Sequence, residues 1–268
     1  MNFVAMNFHY VRYPLSYFLD KVEKSGLDSV ELWAAAPHLN IYDATLDQVS
    51  FLKKDIQKRN LKLECVTPEQ CVYPVNIASE DEVLRNSSIN YFKKTIEIAN
   101  FLEAPRVIVC AGSGYFNKPR EEAWKQSAES LGVLSEFAKE KGIKLLLEPL
   151  MVTTSNVINS SKELRKMVDE INSPNLFAML DTSQMSNYPE TPDDYFKNLG
   201  DKLQYIHFVD RGHLVPGDGD LLMEEYYKKI KASGYDGCMS FEICDRRYYC
   251  DPNKAQDDIE KWIETVTK

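Results

Sequence analysis

Eight short apolar runs alternate with eight longer amphipathic stretches along this 268-residue chain, and that alternation restricts the fold more than any other feature. The short runs read as strands over Asn2–Met6, Ser29–Leu32, Lys62–Val66, Arg106–Cys110, Lys144–Leu147, Phe177–Leu180, Tyr205–Val209 and Cys238–Glu242. The longer stretches read as helices over Leu15–Ser25, Leu46–Arg59, Glu80–Leu102, Glu121–Lys141, Ser161–Ile171, Asp193–Leu199, Met223–Ser233 and Pro252–Thr267. In the fourth, Ala123, Trp124, Ala128, Leu131, Leu134, Phe137 and Ala138 recur at three-to-four spacing, one face of a helix. Lys141-Gly142-Ile143 and Ser233-Gly234-Tyr235-Asp236-Gly237 put glycine after a helix and before a strand, where a left-handed cap is wanted. Strand and helix in strict alternation imply a parallel sheet with crossover helices. Eight such units in 268 residues predict an α/β fold, a single (β/α)8 TIM barrel over residues 1–268. A doubly wound sheet usually has fewer strands and would not gather four successive strand ends around one point.

Those four strand ends carry the chemistry. Leu145-Leu146-Leu147 runs into Glu148, Phe177-Ala178-Met179-Leu180 into Asp181, Leu203-Gln204-Tyr205-Ile206 into His207, and Cys238-Met239-Ser240-Phe241 into Glu242. Each interval is long enough for one loop, one helix and a second loop. Active sites of such barrels lie at the C-terminal ends of the strands. Any one of these residues alone reads as a strand-end polar group capping a loop. Four on successive strands read as a divalent-metal site, Glu148, Asp181, His207 and Glu242. Carboxylates with one imidazole suit Mn²⁺, Mg²⁺ or Co²⁺; Zn²⁺ fits with less specificity.

Two glutamates beside a metal also suggest a reaction. An ion holding a carbonyl and a neighbouring hydroxyl acidifies the adjacent C–H bond. One carboxylate then removes that proton to give an enediolate, and the other returns a proton from the opposite face. Neighbouring carboxylates differ readily in proton affinity, which supplies the acid and the base. Glu148 and Glu242 are the candidates. No Gly-x-Gly-x-x-Gly or Gly-Lys-Ser/Thr phosphate loop is present, so a nucleotide cofactor is unsupported.

The bulk numbers narrow the partners. At a net charge of −9 and without a basic block, the chain lacks the footprint of a nucleic-acid binder. No apolar run approaches a bilayer's thickness, and Met1–Asn7 lacks the marks of a signal peptide. Six cysteines, at 65, 71, 110, 238, 244 and 250, show no C-x-x-C spacing; Cys65, Cys110 and Cys238 sit in strand runs and read as reduced core thiols. The expectation is a cytoplasmic enzyme acting on a small molecule, with no membrane and no nucleic-acid partner.

Several other residues are placed to meet a substrate. The polar segment Asp210–Gly219 follows strand seven and could close over the mouth, presenting His213 or Arg211. Glu31-Leu32-Trp33 ends strand two and Thr67-Pro68-Glu69 follows strand three, so Trp33 and Glu69 could line the pocket. Trp33 reads equally as core. Ser155-Asn156 after strand five could cap a turn or reach the substrate. Arg246–Cys250 follows strand eight and could meet substrate or a neighbouring subunit, which leaves a homo-oligomer open.

These stretches resemble the xylose-isomerase-like barrels of sugar isomerases and epimerases over most of the chain. The resemblance rests on Leu147-Glu148-Pro149-Leu150 with Ser155-Asn156, Leu180-Asp181, Ile206-His207-Phe208-Val209-Asp210, Pro216-Gly217-Asp218-Gly219 and Ser240-Phe241-Glu242. Within that group the chain looks most like the fructoselysine 3-epimerases, through Val30-Glu31-Leu32-Trp33, Pro37-His38, Thr67-Pro68-Glu69, Tyr73-Pro74, Leu199-Gly200-Asp201-Lys202-Leu203 and the loop around His213. The resemblance implies metal ligation by Glu148, Asp181, His207 and Glu242, acid/base work by the two Glu, and inversion of C3 of a ketose or amine-linked ketose. Three positions depart from the pattern. Gln184 stands where ketose 3-epimerases commonly have a substrate-contacting His, Thr154 where they often have Glu, and Ala36 where an Arg precedes Pro37-His38. The same ligands would serve an aldose–ketose or hydroxypyruvate isomerase or an inosose dehydratase, and a non-catalytic sugar-binding barrel is a further alternative. An endonuclease-IV-like three-zinc site would need more histidines than the four present.

Overall fold

In the computed structural model, which describes residues 1–70 and 74–268, eight parallel strands close into a barrel. Cys71 and Tyr73 lie outside the described residues. The strands are β1 (Asn2–Met6), β2 (Ser29–Ala34), β3 (Lys62–Pro68), β4 (Arg106–Cys110), β5 (Lys144–Glu148), β6 (Leu176–Asp181), β7 (Leu203–His207) and β8 (Cys238–Phe241). Each pairs with the next in sequence, and β8 pairs back to β1 through Asn2–Cys238 to Ala5–Phe241. The helices between and after them are α1 (Leu15–Glu23), α2 (Leu46–Lys58), α3 (Glu82–Leu102), α4 (Arg120–Glu140), α5 (Ser161–Ile171), α6 (Thr182–Met185), α7 (Pro192–Leu199), α8 (Met223–Ala232) and α9 (Pro252–Thr267). Among the described residues no helix is long and apolar enough to cross a membrane.

The helix boundaries follow local chemistry. Thr45 and Gln48 form a reciprocal capping box at the start of α2, Asp81 accepts from Val83 N and Leu84 N at α3, and Ser160 accepts from Glu163 N at α5. Gly142 and Gly234 leave their helices at φ +69° and +78°, as the glycine placement predicts. Asn60, Glu103 and Asn172 take the same left-handed turn without glycine. The α6 turn departs from expectation. It is a single turn, too short for any periodicity, and it exists because the Asp181 carboxylate accepts from Gln184 N at 2.8 Å. Strands β2 and β3 run two residues further than the apolar runs suggest, since Trp33 and Ala34 pair with Thr67 and Pro68.

Alternation along each strand sorts the core into two parts. Outward residues such as Ala5, Val30, Leu32, Leu145, Leu147, Leu180 and Ile206 join the large apolar cluster under the helices. Inward residues Val4, Cys65, Ile108, Leu146, Met179, Tyr205 and Cys238 form a separate buried plug inside the barrel. Two residues further along the same strands, the inward positions are Met6, Thr67, Cys110, Glu148, Asp181, His207 and Ser240. The polar ring at the barrel mouth is thus fixed by strand parity above an apolar floor.

Candidate metal centre and active site

Glu148 and Asp181 are the last residues of β5 and β6, His207 is the last of β7, and Glu242 follows β8 directly. Each offers one ligand atom, and these atoms all lie within 4.8 Å of one another. The four side chains predicted to converge do so. His207 Nδ1 stands 3.2 Å from Glu242 Oε2, 3.7 Å from Asp181 Oδ2 and 3.8 Å from Glu148 Oε1. Asp181 and His207 are wholly buried and are direct partners across β6 and β7. Asp181 Oδ1 is held by the α6 amide, which leaves Oδ2 facing the centre. Among the described residues, Asp181 Oδ2 and His207 Nδ1 are buried polar atoms without a hydrogen-bond partner. Two orphaned ligand atoms, aimed at one point with two further carboxylates, fit a hard divalent cation.

The electrostatics separate the two glutamates. Burial pushes the Glu148 carboxyl well above its usual range, and the nearby Glu242 pushes it further. Burial acts the same way on Glu242, but the charges of His207 and His213 prevail and bring it down to about 2. Asp181 is lowered for the same reason, chiefly by His213 and His207 against the cost of burial. Burial would lower both imidazoles, yet Glu31 and Glu242 raise His207, and Asp181 raises His213. The surroundings thus push two neighbouring carboxyls in opposite directions.

His213 joins the cluster, with Nε2 3.3 Å from both Asp181 Oδ2 and Glu242 Oε2. The loop after β7 delivers it, and Asp210 organises that loop. This buried carboxylate accepts from the backbone N–H of Arg211, Gly217, Gly219 and Leu221 at 2.8–3.1 Å. Any side chain at Gly219 would run into Asp210, so glycine is required there. Tyr248, beyond β8, donates to Asp218 and accepts from Val215 N, which packs the tail onto this loop.

The other expected substrate contacts are dispersed. Arg211 turns to Asp220 and Ser186 at the surface, away from the cluster. Trp33 is buried and stacked on Phe8 with ring centroids 4.1 Å apart, forming an apolar wall with Met6 and Ala35. Asn156 accepts from Gly114 N at 2.8 Å, and Gln184 accepts from Met151 N at 2.9 Å, so both brace loops of the rim. Glu69 accepts from Gln70 N at 3.1 Å. The sequence reading treated Glu31 only as part of a pocket-lining run. It is wholly buried, and it contacts His207 Nε2, the Tyr205 hydroxyl and the Thr67 hydroxyl. The available signal was a carboxylate at an inward position of an otherwise apolar strand, which demands buried partners.

The family model for the xylose isomerase-like TIM barrel matches residues 19–266. The chain belongs to that family. It is 30% identical to fructoselysine 3-epimerase of Shigella flexneri over 237 residues, covering 87% of this chain and 86% of that one. It is 24% identical to D-psicose 3-epimerase of Agrobacterium fabrum, covering 84% and 78%. Among solved structures, an L-ribulose 3-epimerase superposes with a TM-score of 0.85 at 21% identity, covering 99% and 94% of the two chains. This xylose isomerase-like barrel is an enzyme of the isomerase class, an epimerase by its relatives.

A divalent ion entering the cluster must displace the protons that Glu148 and His207 hold above their ordinary ranges. Both groups titrate upward, so binding releases protons and tightens as pH rises. Mn²⁺ affinity measured by calorimetry should increase at least about tenfold between about pH 6 and about pH 8. An affinity flat across that interval would contradict the geometry.

Proposed function

We propose that the protein is a divalent-metal-dependent ketose 3-epimerase acting on a ketose or amine-linked ketose of the fructoselysine type. The observation that carries this reading is the pair Glu148 and Glu242, brought together from β5 and β8 beside one candidate cation site. A bound ion would supply polarisation of the carbonyl and an adjacent hydroxyl, acidifying C3. The chain's residues do the rest. One glutamate accepts the proton that leaves C3, and the other delivers a proton to the opposite face; in the reverse direction they exchange roles. His213 braces Asp181 and Glu242, and Trp33 with Phe8 excludes water along one wall.

Glu148→Gln and Glu242→Gln should each lower turnover by at least about 10²-fold, the usual scale of proton-transfer catalysis. Proton NMR in D₂O with Mn²⁺ checks the reaction itself. Deuterium at C3 accompanied by inversion is expected. Exchange at C1 with an aldose appearing would make the protein an aldose–ketose isomerase, and loss of water from an inosose would make it a dehydratase.

The substituent on the ketose is supported by a cavity of about 420 Å³ over β3, β4 and β5. Cys110 forms part of its wall and is the direct β4 partner of Glu148, so the cavity adjoins the metal cluster. Val75, Leu84 and Pro119 give it apolar walls, while Glu80 and Glu122 outnumber Lys118, which is already paired to Glu80. Such a space suits an extended aliphatic group ending in an ammonium. Thr154 lines the cavity, where the ketose 3-epimerase pattern often has Glu. Thr154→Trp should lower kcat/KM for an amine-linked ketose at least about tenfold, the scale on which pocket contacts discriminate, with little effect on a free ketose. Equal losses on both would remove the cavity from substrate selection.

A further inference from the structure

Glu31 lies across the barrel from His207. It stands on β2, and β1 and β8 intervene between that strand and β7. Its carboxylate is wholly buried beneath the metal cluster and receives three side chains. Tyr205 donates its hydroxyl to Oε2 at 2.9 Å, Thr67 donates its hydroxyl to Oε1, and His207 Nε2 approaches Oε1 at 3.0 Å and Oε2 at 3.2 Å. A carboxylate only accepts, so the ring nitrogen facing it must carry the hydrogen. That assignment leaves Nδ1 as the lone-pair nitrogen once the imidazole is neutral. Nδ1 is the atom 3.2 Å from Glu242 and 3.7 Å from Asp181.

We propose that Glu31 is the positioning residue of the metal centre: it locks His207 in the Nε2–H tautomer and aims Nδ1 at the ion, with Tyr205 and Thr67 holding Glu31 in turn. Glu31 touches neither substrate nor ion. A ligating imidazole is generally oriented by a carboxylate or carbonyl on its other nitrogen, and losing that partner weakens metal binding by about 10–100-fold. The surroundings here leave His207 little alternative. Its ring is fully buried, Tyr205 sits beneath it on the same strand with ring centroids 5.9 Å apart, and Glu31 is its one hydrogen-bond acceptor on the Nε2 side among the described residues. The Arg106 guanidinium lies 5.9 Å from the centroid of the Tyr205 ring, within cation–π range of the phenol that holds Glu31. The arrangement therefore runs as one chain of contacts from the barrel floor to the ion.

The inference rests on the proposed function, because it takes His207 to be a ligand. Its test reads metal binding and proton position as well as turnover. Mn²⁺ titration of Glu31→Gln should show affinity weakened by about 10–100-fold, with the melting temperature of the metal-free protein little changed. Tyr205→Phe, which keeps Glu31 but removes one of its donors, should weaken Mn²⁺ binding in the same direction by a smaller factor. In the Zn²⁺-loaded wild type, ¹⁵N-resolved ring spectra should place the His207 proton on Nε2. A proton on Nδ1, or Glu31→Gln and Tyr205→Phe binding Mn²⁺ within about twofold of wild type, overturns the role of Glu31 and leaves the proposed function standing. A wild type that binds no Mn²⁺ overturns both.

Discussion

Buried acid in excess of buried base, at the mouth of the barrel, is the constraint on which the rest of this structure depends. Glu148, Asp181 and Glu242 crowd around one point on the Nδ1 side of His207, Glu31 lies on its Nε2 side, and His207 and His213 offset them. Even with both imidazoles protonated, the acids outnumber the bases. Buried carboxylates without a counter-charge cost several kcal/mol each, and proteins respond by protonating them or by binding a cation. In the chain on its own the first course shows as a shift, since burial and Glu242 raise the Glu148 carboxyl while the imidazoles lower Glu242 and Asp181. A divalent ion offers the second. The opposite shifts of Glu148 and Glu242 are thus a by-product of crowding acids above an apolar floor.

The barrel makes that crowding affordable in structural terms. Strand parity sends Val4, Ile108, Leu146 and Met179 into a packed plug and sends the next inward residues to the mouth. Neighbouring strands then present Asp181 opposite His207, and Cys110 opposite Glu148, with no freedom to drift. Loops add only what strands cannot reach. His213 comes in on a loop wound around the buried Asp210 carboxylate, which satisfies four backbone N–H groups that would otherwise lack partners. The rim loops after β4 and β5 are tied to each other by Asn156 and Ser155, whose hydroxyl donates to Gly112 O.

Much of this could be read in the sequence, for physical reasons that also explain what could not. Short apolar runs, helical spacing and the glycines after helices are local, so all eight strands and the long helices were legible to within a few residues. The four residues of the candidate cation site were legible because an acid or imidazole ending an apolar run is conspicuous. Glu31 was the harder residue. It lies inside its strand rather than at the end, and its partners Thr67, Tyr205 and His207 are far away in sequence, so only the closed barrel brings them together. Arg211, Asn156 and Gln184 illustrate the converse. Position makes them candidates to meet a substrate, and what residue order does not show is that in the folded chain they also bond Asp220, Gly114 N and Met151 N. Whether a loop side chain turns inward depends on its backbone partners, which residue order does not reveal. The α6 turn was missed because one turn has no period to detect, although Asp181 announces its start.

The central claim is that this cluster holds one divalent cation. A crystal of the protein grown with Mn²⁺ and measured at the manganese absorption edge tests it most directly. The account predicts a single anomalous peak per chain, ligated by Glu148, Asp181, Glu242 and His207 through Nδ1. A peak elsewhere, a second peak of equal height, or His207 turned so that Nε2 meets the ion would contradict it.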